Sequence, residues 1–294
     1  MGGAAAGDAP AHRGPAGAGI CVDARRARAA RPGGSGAGRT MRAGGGGLMA
    51  PPAPARFPVR AWFDLARAGN FPSVASNVLA ALVLSSAAGA HWLAGGLLAV
   101  AILAGCLIYA GGATFNDVAD AAFDARHRPS RVIPRGAVTR SGAAWGATLE
   151  MAAGLGLLAV LGASMVWGAA LTATILAYDW IHKRWVGSVV LMAGCRVLLA
   201  VTIASLPDHV ARPQFLWWVG ALFVYIAGLS LVARWEYKPG APAAKLGRMV
   251  GGLLAFIPLI DALALLLVGA WIPAMVCAAA VPLGRWAQRL AAST

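Results

Sequence analysis

Three aspartates, Asp117, Asp120 and Asp124, lie within eight residues of a chain that has 294 residues and only 11 acidic side chains. On a helix this spacing places the three carboxylates within about 60° of one another. Like charges on one face repel unless a positive group binds there. Mg²⁺ takes oxygen ligands and is commonly shared between one or two carboxylates, water and a substrate phosphate. The spacing therefore predicts a site for Mg²⁺ and phosphate.

Arginines follow the aspartates closely, at Arg126, Arg128, Arg131 and Arg135. Cationic side chains next to a carboxylate cluster suit a diphosphate bridged by Mg²⁺, because charge-assisted hydrogen bonds to phosphate are strong. The same charges also suit a solvated helix end whose acids simply pair with the arginines, an arrangement that contributes little free energy. The residues alone leave both interpretations open.

The composition excludes a water-soluble enzyme. Hydrophobic residues make up 59% of the chain and charged residues 12%, and the mean hydropathy is +0.67, which is more apolar sequence than one soluble core needs. The net charge of +14 would suit nucleic acid if it lay on a polar domain. Long uncharged runs separate the basic residues instead, so we interpret them as signals of membrane topology and expect no nucleic-acid partner.

The uncharged runs predict transmembrane helices, because each is near the roughly 20 residues that a helix needs to cross the hydrocarbon core. Eight such runs occur, at residues 74–90, 92–115, 142–162, 163–181, 186–206, 215–233, 249–269 and 270–283. The predicted fold class is therefore all-α, a polytopic transmembrane bundle of eight or nine helices.

The charges between these runs predict an orientation. Lys and Arg collect in alternate connections, and the remaining connections hold only Arg212. Because cytoplasmic loops carry the excess of Lys and Arg, we expect an integral, multi-pass protein of the cell inner membrane. Both termini and the aspartate cluster are expected on the cytoplasmic side.

Three segments differ in composition. Residues 1–56 are rich in Gly, Ala, Pro and Arg and are predicted to be disordered, unless translation starts at Met41 or Met49. Residues 57–71 place Arg60, Asp64 and Arg67 opposite apolar side chains at helical spacing. This pattern predicts either an amphipathic interfacial helix or an ordinary polar segment leading into the first span. Residues 72–294 form the predicted transmembrane domain.

A family pattern is present in these residues. Asn116, Asp117, Asp120 and Asp124 match the motif NDxxDxxxD, and residues 131–138 resemble an RPxPxGxV loop with Val132 in place of proline. On these residues the sequence resembles the UbiA-type membrane-embedded prenyltransferases, from about residue 70 to the C-terminus. The resemblance implies a helical bundle with a central cavity open to the cytosol and to lipid. It also implies transfer of a polyprenyl group from its diphosphate to a small acceptor, often an aromatic ring.

The resemblance also implies roles for individual residues. Mg²⁺, the expected cofactor, would be held by Asn116, Asp117, Asp120 and Asp124, and the three aspartates would be catalytic. The expected substrate-binding residues are Asn116, Arg126, Arg131, Arg135, Tyr178, Lys183, Arg234 and Lys238. Polyprenyl diphosphate, a small acceptor and membrane lipid are the expected partners, and no feature indicates an oligomeric state.

Two other patterns of the family are altered in this chain. The segment 231–239 lacks a second motif of the form DxxxD, and Glu236 is its only acidic residue. A YxxxK stretch is matched by Tyr178 and Lys183 with the lysine one residue late, and the adjacent Asp179 could pair with Lys183 or join the site. These alterations leave an alternative function: a UbiA-like protein that binds or transports an isoprenoid or pigment precursor without transferring it.

A few ionisable residues lie within the apolar runs, where a charge is costly and normally has a partner. We expect Arg196 to pair with Glu150 or Asp261 in preference to binding substrate. Asn70 and Asn77 are expected either to line a pocket, as the resemblance implies, or to cap a helix. No spacing typical of zinc, haem or nucleotide sites occurs.

Overall fold

The computed structural model describes residues 59–86, 96–235 and 243–290, all within one compact unit that extends from residue 52 to residue 294. The predicted disordered segment 1–56 lies outside the described residues. Within them the chain forms α-helices and one short 3₁₀ helix, Ala68–Asn70, and no strand. The α-helices are α1 Val59–Leu65, α2 Phe71–Ser85, α3 Leu97–His127, α4 Arg140–Val160, α5 Met165–Ile181, α6 Ser188–Ala204, α7 Pro213–Trp235, α8 Ala243–Leu267 and α9 Trp271–Leu290.

Each of the eight predicted spans corresponds to one of the helices α2 to α9, so the all-α prediction is confirmed. Five helices of the described residues are long and apolar enough to cross a membrane, namely α2 with its preceding 3₁₀ turn, α3, α4, α7 and α8. Helices α5 and α6 are apolar but have only 17 residues each. The largest difference is at α3, which continues past the predicted end at residue 115 to His127 and so carries the aspartate motif on a helix.

Polar and apolar side chains are distributed as in a protein surrounded by lipid. Large apolar side chains face outward, with exposed fractions of 67% at Leu149, 71% at Val224 and 81% at Trp217. Ionisable side chains within the apolar helices lie inside, because Arg196 is 8% exposed and Asp261 is fully buried. In a bilayer the outer surface is apolar and ionisable groups turn toward the bundle interior. The described helices therefore form an integral membrane protein.

Helix α2 lies at the centre of the bundle and packs against α3, α6, α8 and α9. Its polar side chains point into a buried network around Asp261 of α8. The Asp261 carboxylate accepts hydrogen bonds from Ser76 Oγ, from Asn77 Nδ2 at 2.8 Å and from Trp218 Nε1 at 2.9 Å. Because these donors belong to α2 and α7, the carboxylate joins three helices and leaves each of the donors satisfied.

The prediction that Arg196 forms an ion pair with Glu150 or Asp261 is wrong. Arg196 donates from Nη1 to Asn77 Oδ1 at 2.7 Å and from Nη2 to Ser73 Oγ at 3.1 Å. The amide of Asn77 thus stands between the guanidinium and Asp261, which already accepts three neutral donors. Glu150 is elsewhere, within 3.4 Å of Thr114 Oγ1.

The segment 57–71 is not one continuous helix. Helix α1 ends at Leu65, and Arg67 has a left-handed backbone with φ 47° and ψ 47°. In helix α1, Val59 and Phe63 are exposed while Leu65 is buried. Leu65 packs in a small cluster with Val132 and Val138, so the loop after α3 provides the apolar surface that α1 covers.

Helices α3 and α4 pack closely where their residues are small. A Cβ atom added to Gly154 would lie 2.7 Å from the backbone oxygen of Ala104 and 3.0 Å from the backbone nitrogen of Ile108. Backbone atoms cannot move aside as a flexible side chain can. The close approach of this turn of α3 therefore depends on glycine at this position of α4.

We expect Gly154→Ala to lower the thermal stability of the protein, by about 1–3 kcal/mol, because the added methyl group pushes α3 and α4 apart. Gly156→Ala is the matched control on the same helix, since nothing lies within 4 Å of a Cβ added there. Alanine favours helix by up to about 1 kcal/mol over glycine, so the control should be neutral or stabilising. Thermal unfolding in detergent micelles measures both, and equal effects of the two substitutions would contradict the close packing.

Candidate active site

The aspartate motif lies on the buried face of α3. The exposed fractions of Asp117, Asp120 and Asp124 are 8%, 8% and 3%. Helical spacing predicts that the three carboxylates share one face, and this prediction is confirmed. Burying three carboxylates together is costly unless positive groups surround them, so the electrostatics of this face depend on the segments that pack against it.

Arginines from two different segments bind Asp117. Arg67, between α1 and α2, places Nη2 at 3.1 Å from Asp117 Oδ1. Arg131, in the loop after α3, places Nη1 at 2.9 Å from the same oxygen and at 3.4 Å from Asp124 Oδ2. Two of the three carboxylates are therefore paired with arginine.

The third carboxylate, Asp120, is bound from α5. Lys183 Nζ forms an ion pair with Asp120 Oδ1 and lies 3.7 Å from the centre of the Phe123 ring. His182 Nε2 lies 3.4 Å from Asp120 Oδ2. The residues that follow the C-terminal end of α5 thus contact Asp120, the middle aspartate of the motif.

Asn116 connects this cluster to a fourth carboxylate. Its Oδ1 accepts from Arg67 Nη2 at 3.2 Å, and its Nδ2 donates to Asp179 Oδ1 at 3.0 Å. Burial lowers the pKa of Arg67, but the Asp117 carboxylate together with Tyr109 and Tyr178 raises it by a larger amount, so the pKa lies above its ordinary value. Arg67 therefore remains charged, and the amide of Asn116 is held in one orientation by a cation on one side and an acid on the other.

Most of the residues of this cluster border a cavity of about 660 Å³, although Asp117 and Asp124 are not among its described lining residues. The charged and polar residues at one end are Arg67, Asn70, Asn116, Asp120, His127, Arg128, Arg131, Asp179, His182, Lys183 and Arg234. The deeper walls are mostly apolar and include Ile108, Leu171, Ile175, Met192, Leu199, Ile226, Leu229 and Leu254. The cavity therefore has a charged end and a mainly apolar body.

Not every predicted substrate-binding residue reaches this cavity. Arg131, Tyr178 and Lys183 line it, whereas Arg126 is exposed and is not among the described lining residues. Arg135 lies 3.9 Å from Asp64 of α1.

Arg234 lines the cavity but also supports the loop between α5 and α6. Its Nη1 lies 2.9 Å from both the His182 backbone oxygen and Ser188 Oγ. The remaining predicted residue on this side, Lys238, lies outside the described residues.

Sequence reasoning did not assign Arg67 or His182 to this site. Arg67 was assigned to the polar face of an amphipathic helix, but its left-handed backbone turns it toward Asp117, 50 residues further along the chain. His182 lies beside Lys183 and carries no spacing signal of its own. Only the packing of α5 against α3 brings it to Asp120.

The residues present fit a Mg²⁺ ion shared with a substrate. Among the described residues no group of three or more His, Cys, Asp or Glu side chains is arranged to hold a metal by itself. Mg²⁺ does not require such a group, because one or two carboxylates commonly hold it together with phosphate and water. Asp120 and Asp179 line the cavity, and Asp179 Oδ2 is buried without a hydrogen-bond partner in the described structure.

The described fold and site define a membrane-embedded helical bundle whose internal cavity combines carboxylates and cations at one end with apolar walls beyond. The family model of the UbiA prenyltransferase family matches residues 74–292. The chain therefore belongs to the UbiA prenyltransferase family, and the resemblance predicted from the aspartate motif is confirmed.

The chain is similar to two known proteins. A digeranylgeranylglyceryl phosphate synthase from Methanopyrus kandleri (strain AV19) is 35% identical over 123 residues, which cover 42% of this chain and 44% of that protein. The match thus spans less than half of the relative's length. A solved structure titled as a study of digeranylgeranylglyceryl phosphate synthase in membranes is 13% identical, with a TM-score of 0.49, and the match covers 79% of this chain and 95% of that one.

Arg131 lines the cavity, whereas Arg126 is not among its described lining residues, so substitutions of the two arginines should differ in effect. Arg131→Gln should weaken binding of Mg²⁺-pyrophosphate by about tenfold or more, because a hydrogen bond to a charged group contributes about 1.5–3 kcal/mol. Arg126→Gln removes the same charge outside the cavity and should leave binding unchanged. Calorimetric titration of the purified protein measures both, with thermal unfolding as the test of folding. Equal losses would show that only the overall charge matters.

Proposed function

We propose that this protein transfers a polyprenyl group from its diphosphate to a small acceptor within the membrane, with Mg²⁺ as the cofactor. Membership of the UbiA family supports this reaction class. The observation that carries the proposal is the division of the cavity into a charged end and an apolar body. A polyprenyl diphosphate has the same division, with a highly charged head and a long hydrocarbon chain.

The charged end would bind the diphosphate. Arg67 and Arg131 approach it from the α1–α2 and α3–α4 connections, and Lys183 approaches from α5. Mg²⁺, when bound, would neutralise charge on the diphosphate oxygens as the leaving group departs. We propose that Asn116, Asp117, Asp120 and Asp124 provide the metal-binding face, with Asp120 closest to the substrate because it lines the cavity.

The proposed reaction breaks the bond between C1 of the prenyl chain and the diphosphate oxygen. The bonding electron pair leaves with the diphosphate, where Arg67, Arg131 and Lys183 stabilise the added charge. A nucleophilic carbon or oxygen of the acceptor forms the new bond to C1, and its proton passes to the departing diphosphate. The apolar walls formed by residues such as Leu171 and Ile226 keep water from the electron-deficient prenyl group, which would otherwise be hydrolysed.

The acceptor would bind deeper than the diphosphate, beside the polar groups that interrupt the apolar walls. Arg196 lies 5.1 Å from the centre of the Tyr109 ring, and both residues line the cavity. Tyr109 precedes Asn116 by seven residues, which is about 10 Å along a helix. An aromatic acceptor with a polar substituent fits this spacing. The match with the Methanopyrus kandleri synthase supports testing a prenylated glyceryl phosphate as well.

We also propose that the charged end faces the cytoplasm. The connections at that end carry Arg128, Arg131, Lys183 and Arg184, whereas the α6–α7 connection at the opposite end carries Asp208 and Arg212. This asymmetry follows the rule that cytoplasmic loops hold the excess of positive charge. In a bacterial cell, this orientation would place the protein in the inner membrane with its site open to the cytoplasm.

The proposal predicts that Asp120→Asn reduces Mg²⁺-dependent binding of geranylgeranyl diphosphate by about tenfold or more, since a carboxylate next to the metal is lost. Glu150→Gln is the matched control, because Glu150 is a partly buried acid of α4 outside the described cavity lining. Binding is measured with radiolabelled diphosphate in nanodiscs, with and without Mg²⁺. Unchanged binding by the asparagine variant would remove Asp120 from the site.

Release of diphosphate in the same samples tests transfer, using phenolic acids and a prenylated glyceryl phosphate as acceptors. Turnover with an acceptor establishes a transferase. Mg²⁺-dependent binding without turnover across the acceptor panel would favour the alternative of a UbiA-like protein that binds or transports an isoprenoid or pigment precursor. A wild-type protein that binds no polyprenyl diphosphate would contradict both functions.

A further inference from the structure

The four acids around the charged end differ in what they contact. Asp117 and Asp124 pair with arginines and are not among the described lining residues of the cavity. Asp120 and Asp179 both line the cavity. Asp179 belongs to α5, outside the aspartate motif, and no family pattern in the sequence assigns it a role.

One oxygen of Asp179 has a partner and the other has none. Oδ1 accepts from Asn116 Nδ2 at 3.0 Å. Oδ2 is buried and has no hydrogen-bond partner among the described residues. The residue as a whole is only 8% exposed, so bulk water does not readily reach this oxygen. A buried acceptor without a partner costs about 1–3 kcal/mol, and more when it is charged. Such an atom calls for an explanation other than packing.

The basic side chains that directly follow α5 have partners other than the Asp179 carboxylate. Lys183, one turn beyond Asp179, forms an ion pair with Asp120 and lies over the Phe123 ring. His182 directs Nε2 toward Asp120, while its Nδ1 lies 3.2 Å from the backbone oxygen of Asp179. Of the two alternatives that the sequence left for Asp179, pairing with Lys183 is therefore not observed. The Asp179 carboxylate instead remains at the cavity wall with one oxygen unsatisfied.

A hard divalent cation satisfies such an oxygen. Mg²⁺ binds through one or two carboxylates and fills its other positions with water and substrate phosphate. The His182 contacts bring the end of α5 against Asp120, and the Asn116 contact links Asp179 to the α3 motif from the other side. Asp120 and Asp179 therefore approach the charged end of the cavity from two different helices.

We infer that Asp179 is a Mg²⁺ ligand of this protein and supplies, from α5, an aspartate carboxylate in place of the DxxxD motif that segment 231–239 lacks. The ligand class is a Mg²⁺-bound diphosphate, held between the α3 motif and Asp179. This inference rests on the proposed function, because the phosphate oxygens complete the coordination of the ion. Asn116 acts as a positioning residue, since its amide donates to Asp179 Oδ1 and leaves Oδ2 for the metal.

The test is a Mg²⁺ titration of geranylgeranyl diphosphate binding by the full chain in nanodiscs. Asp179→Asn keeps the size of the side chain and removes the charge. We expect it to raise the Mg²⁺ concentration for half-maximal binding by about tenfold or more. Glu150→Gln, which removes an acid outside the described cavity lining, should match wild type. In EDTA, Asp179→Asn should bind no more weakly than wild type, because Asp179 then has no metal to hold and its charge only repels the diphosphate.

A second variant separates metal binding from folding. Asp179→Glu retains a carboxylate, so its Mg²⁺ midpoint should lie closer to wild type than that of Asp179→Asn, whatever the thermal stabilities of the two variants. If the asparagine variant has the wild-type Mg²⁺ midpoint, the inference is overturned. The same holds if only turnover falls, since Asp179 would then act on the acceptor. If the wild-type protein itself shows no Mg²⁺-dependent binding, the proposed function fails first and this inference fails with it.

Discussion

The negative charge on one face of α3 must be balanced inside a bundle that excludes water, and the surrounding segments are arranged to balance it. Arg67 comes from the junction of α1 and α2, Arg131 from the loop after α3, and Lys183 from the end of α5. Removing one partner of a buried ion pair is costly because the other charge is left uncompensated. The acidic face therefore holds three otherwise separate connections at the same end of the bundle.

Two buried carboxylates of this bundle differ in whether both of their oxygens have hydrogen-bond partners. Asp261 accepts hydrogen bonds from Ser76, Asn77 and Trp218, so its oxygens are satisfied by protein donors and the residue ties helices together. Asp179 receives one hydrogen bond and keeps an oxygen without a partner. Because an unsatisfied buried acceptor is destabilising, the first acid suits a structural role and the second suits a ligand.

The interior network and the cavity share a wall. Arg196 lines the cavity while it donates to Asn77 and Ser73 of α2, and Asn77 in turn donates to Asp261. A change at the centre of the bundle can therefore alter the apolar part of the cavity without touching the charged end. The shape of the deeper cavity and the stability of the bundle depend on the same hydrogen bonds.

The sequence by itself determined the eight apolar helices and the helical face that carries Asp117, Asp120 and Asp124, because hydrophobic runs and helical periodicity are local properties. It also placed Lys183 and Arg131 at the site through the resemblance to a family. It could not determine that Arg67 turns toward Asp117, that Arg126 stays outside the cavity, or that Asp179 keeps a free oxygen. Those outcomes depend on the left-handed backbone of one residue and on how α5 packs against α3. Contacts between segments that are distant in the sequence produce no periodic pattern from which they could be predicted.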